Sequence, residues 1–228
     1  MKRVLFALTV SLPTTVQAGI PDQVELICPV GGERFEITET LSCTTYSDRT
    51  MSFAPTSSCD FVTRLPQCPQ NHLPMYKEFT EADIAFLREY MLSETYDSMV
   101  DRSRYYMAYT IERQLGSEDP SDPFWLLLQG LWFDSDTTFS DEGYLSEFLV
   151  VARSEIERET EENRPYLQSL VAFAQVKAGN LAAAQALITA ASTQDIPFLR
   201  SYHRAIEACM DDPNSAFCDP GSLIPAAP

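Results

Sequence analysis

Six cysteines, unevenly placed, constrain this chain more than any other feature. Cys28, Cys43, Cys59 and Cys68 share one N-terminal stretch, and Cys209 and Cys218 stand apart near the other end. An even cysteine count in an exported chain predicts disulfides, whereas in a reducing compartment it would point to metal binding or catalysis. The compartment therefore decides the chemistry, and the N-terminus indicates it. Met1-Lys2-Arg3 is followed by the mostly apolar run Val4 to Pro13 and then by Val16-Gln17-Ala18, a small-x-small pattern. A basic start, a short apolar core and an A-x-A-like site predict a secretory signal peptide over residues 1–18, cleaved after Ala18. The mature chain is then expected in the periplasm or outside the cell. The apolar run is shorter than the roughly 20 residues of a spanning helix, and no later run is longer, so no membrane span is expected.

Charge narrows the partners. The signal takes two of the 16 basic residues and none of the 33 acidic ones, moving the net charge from −17 to −19. Such a surface repels nucleic acid and anionic lipid and suits a basic protein partner. Cleavage leaves enough chain for a hydrophobic core in one or two domains.

The mature chain divides by pattern. Residues 19–78 hold four of the cysteines and many Pro, Ser and Thr, with little helical periodicity. Val24-Glu25-Leu26-Ile27 and Arg34-Phe35-Glu36-Ile37 read as short strands around Pro29-Val30-Gly31-Gly32. So small an apolar mass needs staples to fold. Cys209 and Cys218 are expected to pair, since no other cysteine is near them. The four N-terminal cysteines leave three pairings open.

Residues 79–218 read as helices, and residues 219–228 as a flexible Pro- and Ala-rich tail. Thr80-Glu81-Ala82-Asp83 is a capping-box start, after which Ile84, Leu87 and Met91 share a face. A single helix is expected from Glu94 to Leu115, with Met99, Tyr106, Met107 and Ile111 inward and Gly116 as its stop. Asp122-Pro123 caps a helix over Phe124 to Phe133. Ser140 opens the next, with Tyr144, Leu145, Phe148, Leu149 and Ala152 inward; its acidic end, Glu155 to Glu162, reads as a solvated face. Asn163-Arg164-Pro165 opens another, and a last helix runs from Pro197 to about Cys209. Val171, Ala172, Gly179, Ala184, Ile188 and Ala191 have the spacing of a tetratricopeptide unit, and Trp125 to Trp132 looks like a diverged first helix of a second. The expected fold is mainly α: about three tetratricopeptide-like hairpins behind a small stapled segment.

Two N-terminal pieces share a form: Cys28-Pro29-Val30-Gly31-Gly32-Glu33-Arg34-Phe35, and Cys68-Pro69-Gln70-Asn71-His72 leading to Met75-Tyr76-Lys77. This resembles a group of exported bacterial proteins that join a CPxxG…CPxNG…YK segment to tetratricopeptide-like helices. It is also similar to a degenerate form of a family with two CPxCG zinc knuckles followed by helices. In the zinc form each knuckle supplies two thiolates to one metal. Here Gly31 and Asn71 stand at the second ligand positions. The resemblance implies a zinc-ribbon-like β and loop segment and carries over no catalytic residue. Paired knuckles bring their first cysteines together, so it implies Cys28–Cys68 and leaves Cys43–Cys59. The stretch from Tyr46 to Leu65 departs from the family pattern.

Motifs for chemistry are sparse. Cys68-x3-His72 with Cys28 and Cys43 or Cys59 could form a zinc site, but an oxidising compartment and broken knuckles favour disulfides, so neither metal nor cofactor is expected. Asp134-Ser135-Asp136 lacks the Gly and the bidentate Glu of a calcium loop. There is no G-x-S-x-G, no H-E-x-x-H and no phosphate-binding glycine loop. His72 and His203, the two histidines, have no recognisable Ser or Cys partner in the sequence.

Tyr96, Tyr105, Tyr106, Tyr109, Trp125 and Trp132 exceed what a small helical core needs. Tyr105 and Tyr109, four apart and off the assigned inward face, are expected to line an exposed groove with Arg102 and Arg113, since Tyr and Arg dominate binding hot spots. The expectation is a non-catalytic interaction module that binds another polypeptide through residues 94–188. The alternatives are an immunity-type binder of a basic toxin and a carboxylate-dependent envelope hydrolase.

Overall fold

The computed structural model describes residues 19–116 and 119–225. The expected signal peptide lies outside the described residues. Two strands, β1 (Gly19–Ile27) and β2 (Arg34–Cys43), form an antiparallel hairpin whose register runs from Ile27 opposite Arg34 to Gly19 opposite Cys43. The strands are longer than the tetrapeptides expected because β-branched Thr38 and Thr40 keep the ladder going past Ile37. A second hairpin, β3 (Thr45–Arg49) with β4 (Pro55–Ser57), follows.

The two CP motifs adopt the same turn. Cys28 N donates to Glu33 O and Gly32 N to Cys28 O; Cys68 N donates to Leu73 O and His72 N to Cys68 O. The fifth residue of each turn is left-handed: Gly32 at φ 76° and His72 at φ 60°. Only the first of these is the residue type that accepts such a φ without steric cost. Asn71 ties the turns together, its Nδ2 donating to Val30 O at 2.6 Å. The disulfides are Cys28–Cys68, Cys43–Cys59 and Cys209–Cys218. All six cysteines are oxidised, so the sulfurs of the zinc alternative are held in disulfides.

The helices are α1 (Glu81–Tyr90), α2 (Glu94–Asp97), α3 (Arg104–Leu115), α4 (Asp122–Phe133), α5 (Ser135–Thr138), α6 (Glu142–Arg158), α7 (Arg164–Lys177), α8 (Leu181–Ala191) and α9 (Pro197–Asp211). Thr80 and Asp83 form the expected capping box. The helix expected over 94–115 is two helices. Ser93 and Ser103 each present a hydroxyl to the backbone N–H groups ahead of them, so each caps a new start, and residues 98–103 turn between them. None of the helices among the described residues is long and apolar enough to cross a membrane.

The core explains which residues each helix buries. α3 lies between two layers. Met107 and Ile111 pack toward Cys28, Cys68 and Leu73 of the stapled segment. Tyr105, Ala108 and Tyr109 pack the other way, against α4 and α6. A helix covered on both sides has no exposed aromatic face, so Tyr105 and Tyr109 are buried, each 2 % exposed. Gly130 of α4 lets α3 approach closely on that side: a Cβ there would lie 2.9 Å from Tyr105 Cβ. The Tyr76-Lys77 pair also reaches α3. Tyr76 Oη donates to Glu112 Oε2 at 2.8 Å and Lys77 Nζ lies 2.7 Å from the same atom, satisfying a buried carboxylate.

α7 and α8 form a hairpin whose turn passes through Gly179 at φ 77°, with Val171, Ala172, Ala184, Ile188 and Ala191 buried along it. Glu155, expected on a solvated face, is instead 6 % exposed and paired with Arg158. Part of the expected tail makes backbone hydrogen bonds to the rest of the chain. Met51 N donates to Ser222 O, Ser52 N to Pro220 O, and Ile224 N to Arg49 O, so this segment clasps the turn after β3. Proline does not forbid this, because Pro220 serves only as an acceptor through its carbonyl and the one N–H the segment supplies is that of Ile224.

Candidate functional site

The clasped turn carries one wall of a cleft. Phe53 sits in it at φ 68°, a left-handed conformation that costs a bulky residue roughly 1–3 kcal/mol. The turn holds it there: Phe53 N donates to Thr50 O at 2.8 Å and Thr50 N to Ala54 O at 3.1 Å. Its neighbours are fixed from both sides, by Tyr202 Oη donating to Met51 O at 2.6 Å and Trp132 Nε1 donating to Ser52 O at 3.0 Å. The left-handed residue directs its ring into an aromatic set. Its centroid lies 5.3 Å from that of Tyr202, 5.8 Å from Phe198 and 6.5 Å from Tyr166.

α4 supplies the second wall. Its run Phe124 to Phe133 contains Gln129 as its one polar side chain, so a helix apolar on nearly every face must leave some of it unburied. Phe124, Leu127, Leu128 and Leu131 go inward, while Trp125 stays 44 % exposed. α7 supplies the third wall through Tyr166, Leu167 and Leu170. Together these residues enclose a cleft of about 350 Å³ with Arg49, Glu159 and Asn163 at its polar rim. That volume lies at the lower end of small-ligand sites and suits one large side chain. Both tryptophans of the chain line it.

Arg102, Tyr105, Tyr109 and Arg113, the contact patch expected from the sequence, are elsewhere and do not form one groove. Arg102 pairs with Asp141 at 2.6 Å and lies 3.4 Å over the Tyr106 ring, fastening the start of α6 to α3. Burial alone would raise the Asp141 pKa, but the Arg102 hydrogen bond and charge, together with the backbone N–H groups of Tyr144 and Gly143, outweigh it and hold the carboxyl below the usual carboxylate range. Arg113 Nη1 donates to Tyr109 Oη at 3.0 Å, and Tyr109 Oη donates to Glu147 Oε2 at 2.8 Å. Burial, reinforced by Glu147, pushes Tyr109 up to about 12. Tyr105 faces a separate pocket beyond Trp132.

The sequence did not reveal Phe53, Tyr166 or the partners of His203. His203 Nε2 lies 2.7 Å from Ser169 Oγ and Nδ1 lies 3.1 Å from Ser192 Oγ. Ser169 is fully buried and its hydroxyl donates to Pro165 O at 2.6 Å, so it is spent on the helix and closed to any substrate. Burial lowers the His203 pKa, which favours a neutral ring, and since Ser192 Oγ likewise donates to a carbonyl, Ile188 O at 2.8 Å, the ring donates its one N–H to a serine oxygen. This is a packing network between α7, α8 and α9. Compared with known proteins, the chain matches no family model, no curated protein and no solved structure.

Proposed function

We propose that this protein is an exported, non-catalytic module that binds another polypeptide by seating an aromatic or long aliphatic side chain in the cleft between α4, α7 and the Phe53 turn. The observation that carries this is the exposed Trp125 beside a rigid aromatic wall. A left-handed phenylalanine, locked by Tyr202 and Trp132, keeps the cleft open before any ligand arrives. Pre-organised aromatic pockets are where interface energy concentrates. In this reading α7–α8 is a tetratricopeptide-like hairpin, the stapled segment is a zinc ribbon that has exchanged metal for disulfide, and the compartment is the periplasm or the exterior. Three disulfides support that compartment. The net charge of −17 supports a partner with basic residues flanking its anchor.

The test is selection of random displayed peptides on the oxidised protein. Selected peptides should share one aromatic or long aliphatic residue flanked by Lys or Arg. They should shift tryptophan emission, since both tryptophans line the cleft. Trp125→Ser should weaken them by about thirtyfold, the effect of losing one hot-spot aromatic, with the melting temperature unchanged. Peptides that bind Trp125→Ser as tightly as the parent would overturn the cleft. Hydrolysis of the peptides, abolished by one Asp or Glu replacement without unfolding, would overturn the non-catalytic assignment.

A further inference from the structure

Across Trp132 from the aromatic cleft is a second, larger pocket of about 710 Å³ with a different lining. Two arginines reach it from separate parts of the chain. Arg104 opens α3, and its Nη1 donates to Leu65 O at 3.0 Å. Arg64 lies 4.8 Å over the Phe133 ring, and its Nη2 donates to Cys59 O at 3.2 Å and Ser57 Oγ at 3.3 Å. Both guanidinium groups are thus held by neutral partners. Neither makes an ion pair among the described residues, in a chain where acids outnumber bases 33 to 16. Asp60 and Asp134 line the same pocket without closing on either arginine.

Tyr105 provides the independent observation. It lines this pocket, is 2 % exposed, and its hydroxyl has no hydrogen-bond partner. A buried hydroxyl without a partner costs about 1–3 kcal/mol, so it marks a place where something is expected to bind. Burial pushes its pKa up to about 12, so at neutral pH it holds its proton and can donate. The Arg104 and Arg64 charges pull against that rise, and the Asp134 charge adds to it.

We propose that Arg64, Arg104 and the Tyr105 hydroxyl form a binding site for a carboxylate. Two planar guanidinium forks match the two oxygens of a carboxylate, and the phenol adds a third donor from the floor. Asp134 and Asp60 leave a place for an ammonium group beside it. The carboxylate can therefore come from a free amino acid or from the C-terminus of a chain. The two pockets share Pro55 and Trp132, but none of the three groups that would hold the carboxylate lines the aromatic cleft, so this inference stands whether or not the cleft binds a peptide.

The experiment is calorimetric titration of the oxidised full chain with phenylalanine, N-acetylphenylalanine and N-acetylphenylalanine amide. At least one of the two acids should bind saturably, and the amide about tenfold more weakly or worse, as expected when a charge-assisted hydrogen-bond acceptor is removed. Tighter binding of phenylalanine identifies an amino acid as the ligand; tighter binding of the acetylated acid identifies a chain terminus. Arg64→Gln and Arg104→Gln should each weaken the acid about tenfold, and inorganic phosphate should compete poorly. Tyr105→Phe separates a binding role from a structural one. It removes a hydroxyl that bonds nothing in the free protein, so the melting temperature should hold or rise while the acid binds several-fold more weakly. Equal binding of acid and amide, no dependence on either arginine, or tighter phosphate than carboxylate would each overturn the proposal. Trp125→Ser should leave acid binding intact, so failure of the cleft and failure of this site are told apart.

Discussion

Gly130→Ala tests the packing that underlies the whole helical layer. On an exposed helix, replacing glycine by alanine gains about 1 kcal/mol, because alanine has less backbone freedom to lose. At Gly130 the new Cβ would overlap Tyr144 Oη, lie 2.8 Å from Tyr144 Cζ and lie 2.9 Å from Tyr105 Cβ. Neither neighbour can move away easily. Tyr144 is fully buried and its hydroxyl donates to Leu127 O at 2.7 Å; the Tyr105 contact is one bond from the backbone of α3. Overpacking costs about 1–3 kcal/mol, and displacing the Tyr144 hydroxyl from Leu127 O adds roughly 1–3 kcal/mol more. Subtracting the propensity gain leaves a net loss of about 3 kcal/mol. For a chain of this size that lowers the melting temperature by roughly 6–12 °C, read by calorimetry on the oxidised protein. Tyr144→Phe should partly rescue Gly130→Ala, so the double variant is more stable than the two losses added together. A melting temperature that stays level or rises in Gly130→Ala would show that α3, α4 and α6 do not meet as described.

Lys77→Met should destabilise the protein by about 2 kcal/mol in urea denaturation at neutral pH, less than a fully buried pair would lose because Lys77 is one-third exposed. Adding Glu112→Gln should recover most of the loss; an unchanged midpoint in the single variant would mean that the pair contributes nothing. His203 gives a pH dependence. Its folded pKa lies below the ordinary 6.5, so the unfolded chain binds the extra proton first as the solution is acidified. Stability from this group is therefore complete above pH 6.5 and falls as pH drops from there to the folded pKa. Arg200, Arg204 and Glu207 share its pocket, and Glu207 opposes the shift. Melting curves of His203→Gln from pH 7 to 5 should be flatter than those of the parent, and parallel curves would count against the buried neutral ring.

Much of the fold was legible because its signals are local. Thr80 and Asp83 cap, Gly179 turns, and Pro123, Pro165 and Pro197 sit in the first turns of their helices, each by chemistry contained within a few residues. Cys209–Cys218 followed from cysteine order, and the other two pairs are those that the zinc-knuckle resemblance implied. What failed was the assignment of faces on α3. Periodicity identifies one apolar stripe, but Tyr105 and Tyr109 form a second stripe that meets a second layer, and one helix read alone cannot show how many layers cover it. The break before Ser103 was hidden because serine also sits inside helices, and its capping role appears once the backbone has turned. The cleft was illegible for a different reason. Phe53, Trp125 and Tyr166 lie far apart in sequence, and the left-handed backbone at Phe53 leaves no compositional mark. The surplus of apolar residues along α4 was the available clue that part of this helix would remain uncovered.

The clasp between the turn after β3 and residues 220–224 dictates an order of assembly. The Phe53 turn is held by Trp132, by Tyr202 across 151 residues of sequence, and by backbone bonds to Pro220, Ser222 and Ile224. A ribosome that has made the turn must extend the chain beyond residue 220 before those bonds can close. Until then Phe53 has no reason to stay left-handed, and the aromatic wall is missing. Contacts this distant are also slow to form, because the long loop must be closed before it yields any stabilisation. A nascent chain that ends before residue 220 can therefore form its first hairpin while presenting no finished cleft. The Phe53 wall of the cleft is therefore completed last, once the final stretch of chain has been made and has folded back onto the turn.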